Sequence, residues 1–280
     1  MKWYENCILK KLFLTTTDWN VAWKRKSDST YIVIENPLDY WLADSLLFET
    51  DNECYLFVEA FDKKSGIGKI GVFKNKDNVF TDFRVILEQP YHLSYPFVFK
   101  YGGSYYMIPE TSNNNTLELY IATNFPHNWK KISVLLEGRY VDTTVIRQYD
   151  SYVEICSYDM NSCSFVSGIL DMNKYKIHFD TIIRDVNYRL RAGGTPFSIG
   201  YDIWRPIQDN TFFYGQSLNK INCSTNSIEQ FMQPCSIKTN DGITYRRLHT
   251  YSQTDNYEAI DLSDYTFDLF KVIRKLRVSK

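Results

Sequence analysis

Asp44-Ser-Leu-Leu-Phe48, a turn at Asp51-Asn52 and the return strand Tyr55-Leu-Phe-Val-Glu59 read as a β-hairpin with an acidic residue at its head. The same shape recurs in Tyr95-Pro-Phe-Val-Phe99, Gly102-Gly103 and Tyr105-Tyr-Met-Ile-Pro-Glu110. It returns in Asp142-Thr-Thr-Val-Ile146, Tyr149-Asp150 and Tyr152-Val-Glu-Ile-Cys156, and more loosely in Thr195-Pro-Phe-Ser-Ile199, Gly200-Tyr-Asp202 and Ile203-Trp204. The lead residues at 44, 95, 142 and 195 stand 51, 47 and 53 positions apart. A period near 50 with several strands per unit is the mark of a β-propeller, whose blades hold about four strands each. A chain of 280 residues accommodates five such units. The fifth is expected near Gly242-Ile-Thr-Tyr-Arg-Arg-Leu-His-Thr250, followed by Tyr257-Glu-Ala-Ile-Asp261, and it rests on counting because it matches the other hairpins poorly. Further strands are expected at Ile70–Phe73, Leu117–Ile121, Ser164–Leu170 and Thr211–Gly215.

Composition agrees with an all-β chain. It has 22 Tyr, 18 Phe and 6 Trp but only six alanines, so strand formers dominate over the best helix former. A net charge of −1 lacks the basic excess that nucleic-acid binding requires, and 44% hydrophobic residues argue against disorder. The six cysteines form no CxxC pair, which fits reduced thiols in a cytoplasmic protein and gives no metal site. Cys7–Leu14 is interrupted by two lysines and lacks a cleavage site, and no stretch reaches the roughly 18 apolar residues of a membrane span. Phosphate-loop, dinucleotide-fold, hydrolase-elbow and HExxH motifs are absent from the sequence, and no cofactor is expected. One propeller domain is expected over residues 1–266, followed by a tail at 267–280. There Phe267, Phe270, Ile273 and Leu276 fall at helical spacing among Lys271, Arg274, Lys275, Arg277 and Lys280. The tail reads either as a basic amphipathic helix touching the anionic inner face of a membrane or as a closing element with a solvated basic face.

The first strand of each propeller blade lines the central channel, so Asp44, Tyr95, Asp142 and Thr195 are expected in one funnel. Trp41-Leu-Ala-Asp44-Ser-Leu-Leu-Phe-Glu49 resembles the W-x-A-D-P-F opening of the five-bladed arabinanase, levansucrase and invertase group. Further pieces are Asp18-Trp-Asn-Val-Ala22, His92-Leu-Ser-Tyr-Pro-Phe-Val-Phe99, Tyr105–Glu110, Arg205-Pro-Ile-Gln-Asp209 with Tyr214-Gly215, and Gly242 before His249-Thr250. Taken in order they resemble the N-terminal domain family of plant glucosamine inositolphosphorylceramide transferases and its bacterial relatives in surface-polysaccharide gene clusters. Those motifs are more specific for the fold than for an activity.

For the hydrolases of this group the resemblance implies Asp44 as base or nucleophile and Asp142 as stabiliser of the positive charge that develops on the sugar. The plainer reading is that both acids cap strand ends. The group's third carboxyl, a blade-four glutamate before Gly-Pro, is missing: the stretch reads Arg191-Ala-Gly-Gly-Thr-Pro-Phe197. Ser45 also replaces the usual proline. Glu59 and Glu110, each 15 positions after its lead residue, are substitute acids or polar strand ends. A phosphate leaving group would need cations instead of an acid, and Arg189, Arg191, Arg205 and Arg246-Arg247 cluster where the acid is lost. The leading expectation is therefore an inverting, metal-independent glycosyltransferase of capsule or O-antigen synthesis, taking a sugar nucleotide or other phospho-sugar donor and a glycan acceptor. Asp44, Asp142 and Glu110 form its catalytic set, and Arg191, Arg205 and Arg247 hold the donor phosphate. Trp41, Tyr95 and Tyr214 stack on sugars, with Glu59, His92, Gln208 and His249 as further binding groups. The rivals are a glycoside hydrolase of the arabinanase or invertase type and a non-catalytic glycan-binding propeller.

Overall fold

The computed structural model describes residues 14–267. It contains five four-stranded antiparallel sheets and one two-stranded ribbon. Blade one runs through Tyr40–Glu49, Cys54–Asp62, Ile67–Lys76 and Val79–Leu87. Blade two follows with Ser94–Tyr101, Ser104–Glu110, Thr116–Asn124 and Asn128–Glu137, and blade three with Tyr140–Gln148, Tyr152–Asp159, Ser164–Asp171 and Lys176–Arg184. Blade four holds Phe197–Ile199, Asp202–Asp209, Ser217–Asn222 and Ile228–Met232. The expected five-bladed propeller is the observed architecture. Among the described residues the only helical segments are two three-residue 3-10 turns.

Blade five is built differently from the expected one. Gly242–Thr250 contains no strand; the innermost strand is Tyr251–Gln253, followed by Tyr257–Leu262. The outer two strands come from the other end of the chain, Asn20–Arg25 and Ile32–Val33, with Asn20 opposite Leu262 and Arg25 opposite Tyr257. The ring is thus closed by backbone hydrogen bonds between the two ends. A repeat count could not reveal this, because a blade split between the termini has no contiguous hairpin pair to match. The two ends meet once more in the ribbon, where Leu14–Thr16 pairs with Tyr265–Phe267. The amphipathic tail expected at 267–280 lies, past Phe267, outside the described residues.

Burial follows position in the blade. Leu42–Leu47 and Ser94–Phe99, on innermost strands, are buried at every residue, whereas outermost Lys176–Arg184 alternates between exposed and half-buried as far as Ile182 and is exposed from there on. Apolar clusters fill four seams: blades five and one around Trp23, Leu42 and Tyr257; one and two around Phe57, Met107 and Tyr120; two and three around Phe97, Leu119 and Ile155; four and five around Leu218, Tyr251 and Ile260. Between blades three and four the described residues place a cation instead. Arg205, 2% exposed, donates from Nη1 to Leu190 O (3.1 Å) and lies 4.9 Å above the Phe165 ring.

One expected strand is a loop. Thr211–Gly215 has the β-branched and aromatic content of a strand, but the flanking polar side chains capture its backbone. Asp209 Oδ1 accepts Thr211 N–H, Gln216 Oε1 accepts Phe212 N–H, and Asn210 Oδ1 accepts Gly215 N–H. Such local bonds compete with a sheet ladder, and here they win.

The Gly193-Gly194 pair is a seam element. Tyr251 N–H donates to Gly193 O at 2.8 Å, Thr195 N–H donates to Tyr251 O at 3.2 Å, and Gly194 has φ +129°. A Cβ on Gly194 would stand 1.7 Å from Tyr251 O, so no side chain, acidic or otherwise, fits there. Gly194→Ala is expected to destabilise the protein by roughly 3–5 kcal/mol through combined strain and overpacking. Urea unfolding of the two proteins at one pH measures it, and a difference within about 0.5 kcal/mol, the range of an ordinary surface substitution, would refute the seam.

Candidate functional site

Blades one, two and three carry the same local defect. Pairing jumps from Ala43–Glu59 to Leu46–Phe57, from Ser94–Glu110 to Phe97–Ile108, and from Val141–Tyr158 to Thr144–Cys156. Each innermost strand therefore holds one extra residue, a β-bulge, and the first residue of each bulge has positive φ: Asp44 at 49°, Tyr95 at 44° and Asp142 at 52°. Left-handed backbone at a non-glycine residue costs on the order of 1–3 kcal/mol and persists only where the surroundings enforce it. Here the bulges re-aim these residues, and polar bonds around the axis hold them.

Asp44 is held from three sides. Its Oδ2 accepts Tyr95 N–H (2.8 Å), its Oδ1 lies 3.1 Å from His249 Nε2, and its own N–H donates to Asp261 Oδ2 (3.0 Å). Asp261 Oδ1 accepts the N–H groups of His249 (3.1 Å) and Thr250 (2.9 Å). Its Oδ2 stands 2.9 Å from His249 Nδ1, out of line for a good hydrogen bond. Burial disfavours a charged His249, but Asp261 and Asp44 outweigh it and push its pKa up to about 10. Asp261 moves the other way: burial lifts it, while His249 and the amide donors bring it below the ordinary carboxylate range. Asp44, His249 and Asp261 are the described group whose potential ligand atoms all come within 4.8 Å of one another, and the His249 ring stands between the two carboxylates.

Asp142 faces the second cation. Arg191 Nε donates to Asp142 Oδ2 at 2.7 Å, and Gln208 Nε2 is 3.4 Å from the same oxygen while donating to Ala192 O at 2.8 Å. Burial raises the Asp142 pKa and Arg191 opposes the rise. Glu110 accepts Ser112 Oγ–H at 2.7 Å. Burial and the neighbouring Asp142 push its pKa up to about 7, against Arg191. The Glu59 pKa is also raised, by burial and then by Asp44.

Tyr214 forms the open wall. The captured loop leaves it 42% exposed, with its ring 5.1 Å from His249 and 5.9 Å from the Arg191 guanidinium. Arg247, 6% exposed, donates from Nε to Tyr214 O and lies 4.6 Å over Trp19, which itself stands 4.3 Å from His249. Among the described residues Arg247 has no carboxylate within ion-pair distance, and burial lowers its pKa. On the blade-one side Trp41 stacks on Phe61 at 4.4 Å, and Phe61 is 6.0 Å from His92.

The structure thus gathers Asp44, Asp142, Glu59, Glu110, Arg191, Gln208, Tyr214 and His249 around the axis, with Arg247 behind Tyr214. Two expected residues are committed to structural contacts. Tyr95 is fully buried: its hydroxyl bonds Thr144 Oγ1 (2.9 Å) and both backbone groups of Gly194 (3.0 and 3.1 Å), so its ring reaches from blade two to blade three and the Gly193-Gly194 seam. Arg205 is committed to the seam between blades three and four. Asp261 and Trp19 were not among the expected site residues. Asp261 was legible, since Tyr257-Glu-Ala-Ile-Asp261 ends in an acid as Tyr55-Leu-Phe-Val-Glu59 does.

Fold and site define a five-bladed propeller with a buried cluster of carboxylates contributed by several blades. The family described as "Glucosamine inositolphosphorylceramide transferase 1, N-terminal" matches residues 17–241, and the chain belongs to it. Glucosamine inositolphosphorylceramide transferase 1 of Arabidopsis thaliana is 30% identical over 204 residues, 69% of this chain and 27% of that protein. The chain spans about a quarter of the length of the curated relatives it matches. A family 43 β-xylosidase/α-arabinofuranosidase from a compost metagenome has the same fold at TM-score 0.60 and 8% identity, covering 87% of this chain and 95% of its own. The β-1,2-mannobiose phosphorylase of Listeria innocua aligns at TM-score 0.57 and 10% identity, covering 91% and 99%.

The Asp44–His249–Asp261 triad fixes a direction for pH dependence. A fold that raises the His249 pKa gains stability fully present below the unfolded value near 6.5, and loses it as pH rises through about 10. Urea unfolding measured from pH 6 to 10 should show stability falling across that window more steeply in the wild type than in His249→Gln. Parallel curves would remove the charged triad.

Proposed function

We propose that the funnel is a glycosyl-transfer site that takes a phosphate-activated sugar donor and a glycan acceptor during assembly of a surface polysaccharide, at the cytoplasmic face of the membrane. The observation that carries this reading is Arg247, a buried guanidinium without a carboxylate partner among the described residues, next to the exposed Tyr214 ring. A buried cation left without a counter-charge is costly, and a donor phosphate supplies the missing anion. Membership of a family named for a transferase supports the same class of chemistry. Asp44 takes the acceptor hydroxyl proton as the acceptor oxygen bonds to the anomeric carbon. The bond from that carbon to the phosphate oxygen breaks, and the phosphate leaves with the electron pair. Asp142, paired with Arg191, faces the positive charge on the ring. Tyr214, from the blade-four loop, and the Trp41–Phe61 stack of blade one offer aromatic faces for sugar rings. No described helix is long and apolar enough to cross a membrane; membrane contact is assigned in this reading to the basic residues that follow Phe267 in the sequence.

Glu110 favours a second reading, glycoside cleavage. Its pKa of about 7 makes it an effective proton donor near neutrality, and that form is lost as pH rises through this value.

The variants separate the readings. For transfer, Arg247→Ala weakens nucleotide-sugar binding by on the order of tenfold or more in calorimetry, and the difference shrinks at high salt. Asp44→Asn leaves binding nearly intact but abolishes turnover, and Glu110→Gln has little effect. For cleavage, Glu110→Gln lowers hydrolysis of simple glycosides by on the order of 10²–10⁴-fold and removes the alkaline fall near pH 7, while Arg247→Ala is nearly silent. A protein that binds glycans but neither binds phospho-donors nor turns anything over is the non-catalytic propeller.

A further inference from the structure

The connection from blade four into blade five, residues 233–250, is longer than its counterparts at 34–39, 88–93, 138–139 and 185–196. An extra length of chain in a compact domain is usually functional when it is ordered. This one is firmly pinned. Asn240 N–H donates to Tyr31 O (2.9 Å), Tyr31 N–H donates to Lys238 O (2.8 Å), and Asn240 Oδ1 accepts Val33 N–H (2.9 Å). Asp241 ties the bend, taking Thr239 Oγ1–H and Ile243 N–H on Oδ1 and the Tyr245 hydroxyl on Oδ2.

This loop, the 34–39 connection and the terminal ribbon line a cavity of about 560 Å³, within the range of about 300–1,000 Å³ common for ligand sites. All three segments stand at one end of the propeller. In an antiparallel blade the chain enters the innermost strand at the end where the second strand hands over to the third. The ribbon is that handover in blade five. Asp44, Asp142, Glu59 and Glu110 lie toward this end of their strands, so cavity and funnel share a face. Arg247 links them: its guanidinium lies 5.8 Å from the Tyr214 ring of the funnel wall and 5.8 Å from the Tyr265 ring that lines the cavity.

The lining chemistry selects among ligands. Asn36 spends both amide hydrogens, on Trp19 O (2.8 Å) and Asn20 Oδ1 (3.1 Å), and its oxygen on Leu42 N–H (3.1 Å). It thereby fixes the Asn20 amide, which gives one hydrogen to Asp18 O (3.2 Å) and keeps a second. Asn240, its oxygen bound to Val33, keeps the two hydrogens of Nδ2. The acidic residues Glu35 and Asp264 line the same cavity as these donors, and Val33 and the half-exposed Ile243 add apolar surface. Donors and acceptors side by side match a hydroxyl, which is both at once, and the apolar patch matches the C–H face of a sugar ring. A phosphate or uronate calls for cations, and among the described residues no lysine or arginine lines the cavity. A hard metal ion calls for oxygens alone, and the amide hydrogens oppose it.

We infer that this cavity is a subsite for a neutral glycan, holding the acceptor chain at a distance from its reacting hydroxyl. The role as acceptor site rests on the transfer reading; the sugar-binding chemistry does not. Donor and acceptor are then sorted by charge. Arg247 takes the phosphate on the funnel side, and the acidic, amide-lined cavity repels it while holding uncharged sugars.

Binding is tested first, without turnover, by ligand-observed NMR titration of the full chain. The probes are xylotriose, mannotriose and chitotriose, with trigalacturonic acid as the anionic counterpart. At least one neutral trisaccharide should bind, and the triuronate should not. Ile243→Trp fills the cavity from an exposed position, and Glu35→Arg reverses a charge at an exposed one. Each should weaken the neutral sugar on the order of tenfold or more, and if one variant fails to fold the other decides. Asp44→Asn, in the funnel, should leave this binding in place. The subsite is overturned if no neutral trisaccharide binds, if the triuronate binds as well as they do, or if binding survives the cavity variants. Sugar binding that depends on Ile243 and Glu35, in a protein that binds no nucleotide sugar, keeps the subsite and sinks the transfer reading instead. With a donor and acceptor found active on the wild type, Ile243→Trp should raise the KM of a long acceptor while kcat and the donor KM stay unchanged. An unchanged acceptor KM overturns the acceptor role.

Discussion

One extra residue in each of three innermost strands is the constraint on which the site depends. A regular strand would point alternate side chains into the two seams beside it, where only apolar groups can be buried without partners. The bulges at Asp44, Tyr95 and Asp142 break that alternation at the same level in blades one, two and three and turn the residue toward the axis. Their backbone strain is held by bonds that run around the ring, not along each strand. Asp261 accepts Asp44 N–H, Asp44 accepts Tyr95 N–H, and the Tyr95 hydroxyl reaches Gly194, which packs on Tyr251. Closing the ring by pairing Asn20–Arg25 with Tyr257–Leu262 brings Asp261 to its place, so the terminal closure and the geometry of Asp44 are one problem.

Burying so many carboxyls at one level is tolerable only because they differ in state. Asp44 and Asp261 share the His249 imidazolium, and Asp142 has Arg191. Glu59 and Glu110 face no comparable cation and are pushed toward the neutral acid by burial and by those anions. Like charges that cannot all ionise divide into bases and acids, which is how a cluster of one residue type acquires two chemical roles.

The period of the hairpins carried the architecture, because a bulged lead residue and an acid at the end of the second strand repeat in the sequence as they do in space. Asp44, Asp142, Glu59 and Glu110 were legible for that reason. Blade five was not, since its strands come from opposite ends of the chain and the seam residues that prepare it, Ser45, Thr250 and Ser252, look like ordinary polar residues. Thr211–Gly215 reads as a strand in sequence because strand propensity is a property of the segment, whereas the side chains that trap its backbone lie on either side. Arginine clustering was the least informative signal. Sequence spacing cannot distinguish Arg205, sealed against Phe165, from Arg191 on Asp142 or Arg247 beside Tyr214.

The two departures from the hydrolase pattern have a common physical origin. Where that pattern has proline after the lead aspartate, Ser45 uses the N–H that proline lacks, donating to Thr250 Oγ1 at 3.3 Å, while its carbonyl accepts Ser252 Oγ–H at 2.8 Å. Where the pattern has its acid, Gly194 leaves room for Tyr251 O. Both changes tighten the contacts of blade five with its neighbours, and neither can be reversed singly: proline would break the Ser45 bond and any side chain at Gly194 would strike the Tyr251 backbone. An acid for this funnel therefore has to come from blades one or two, and Glu59 and Glu110, both displaced toward the protonated form, are the carboxyls standing there.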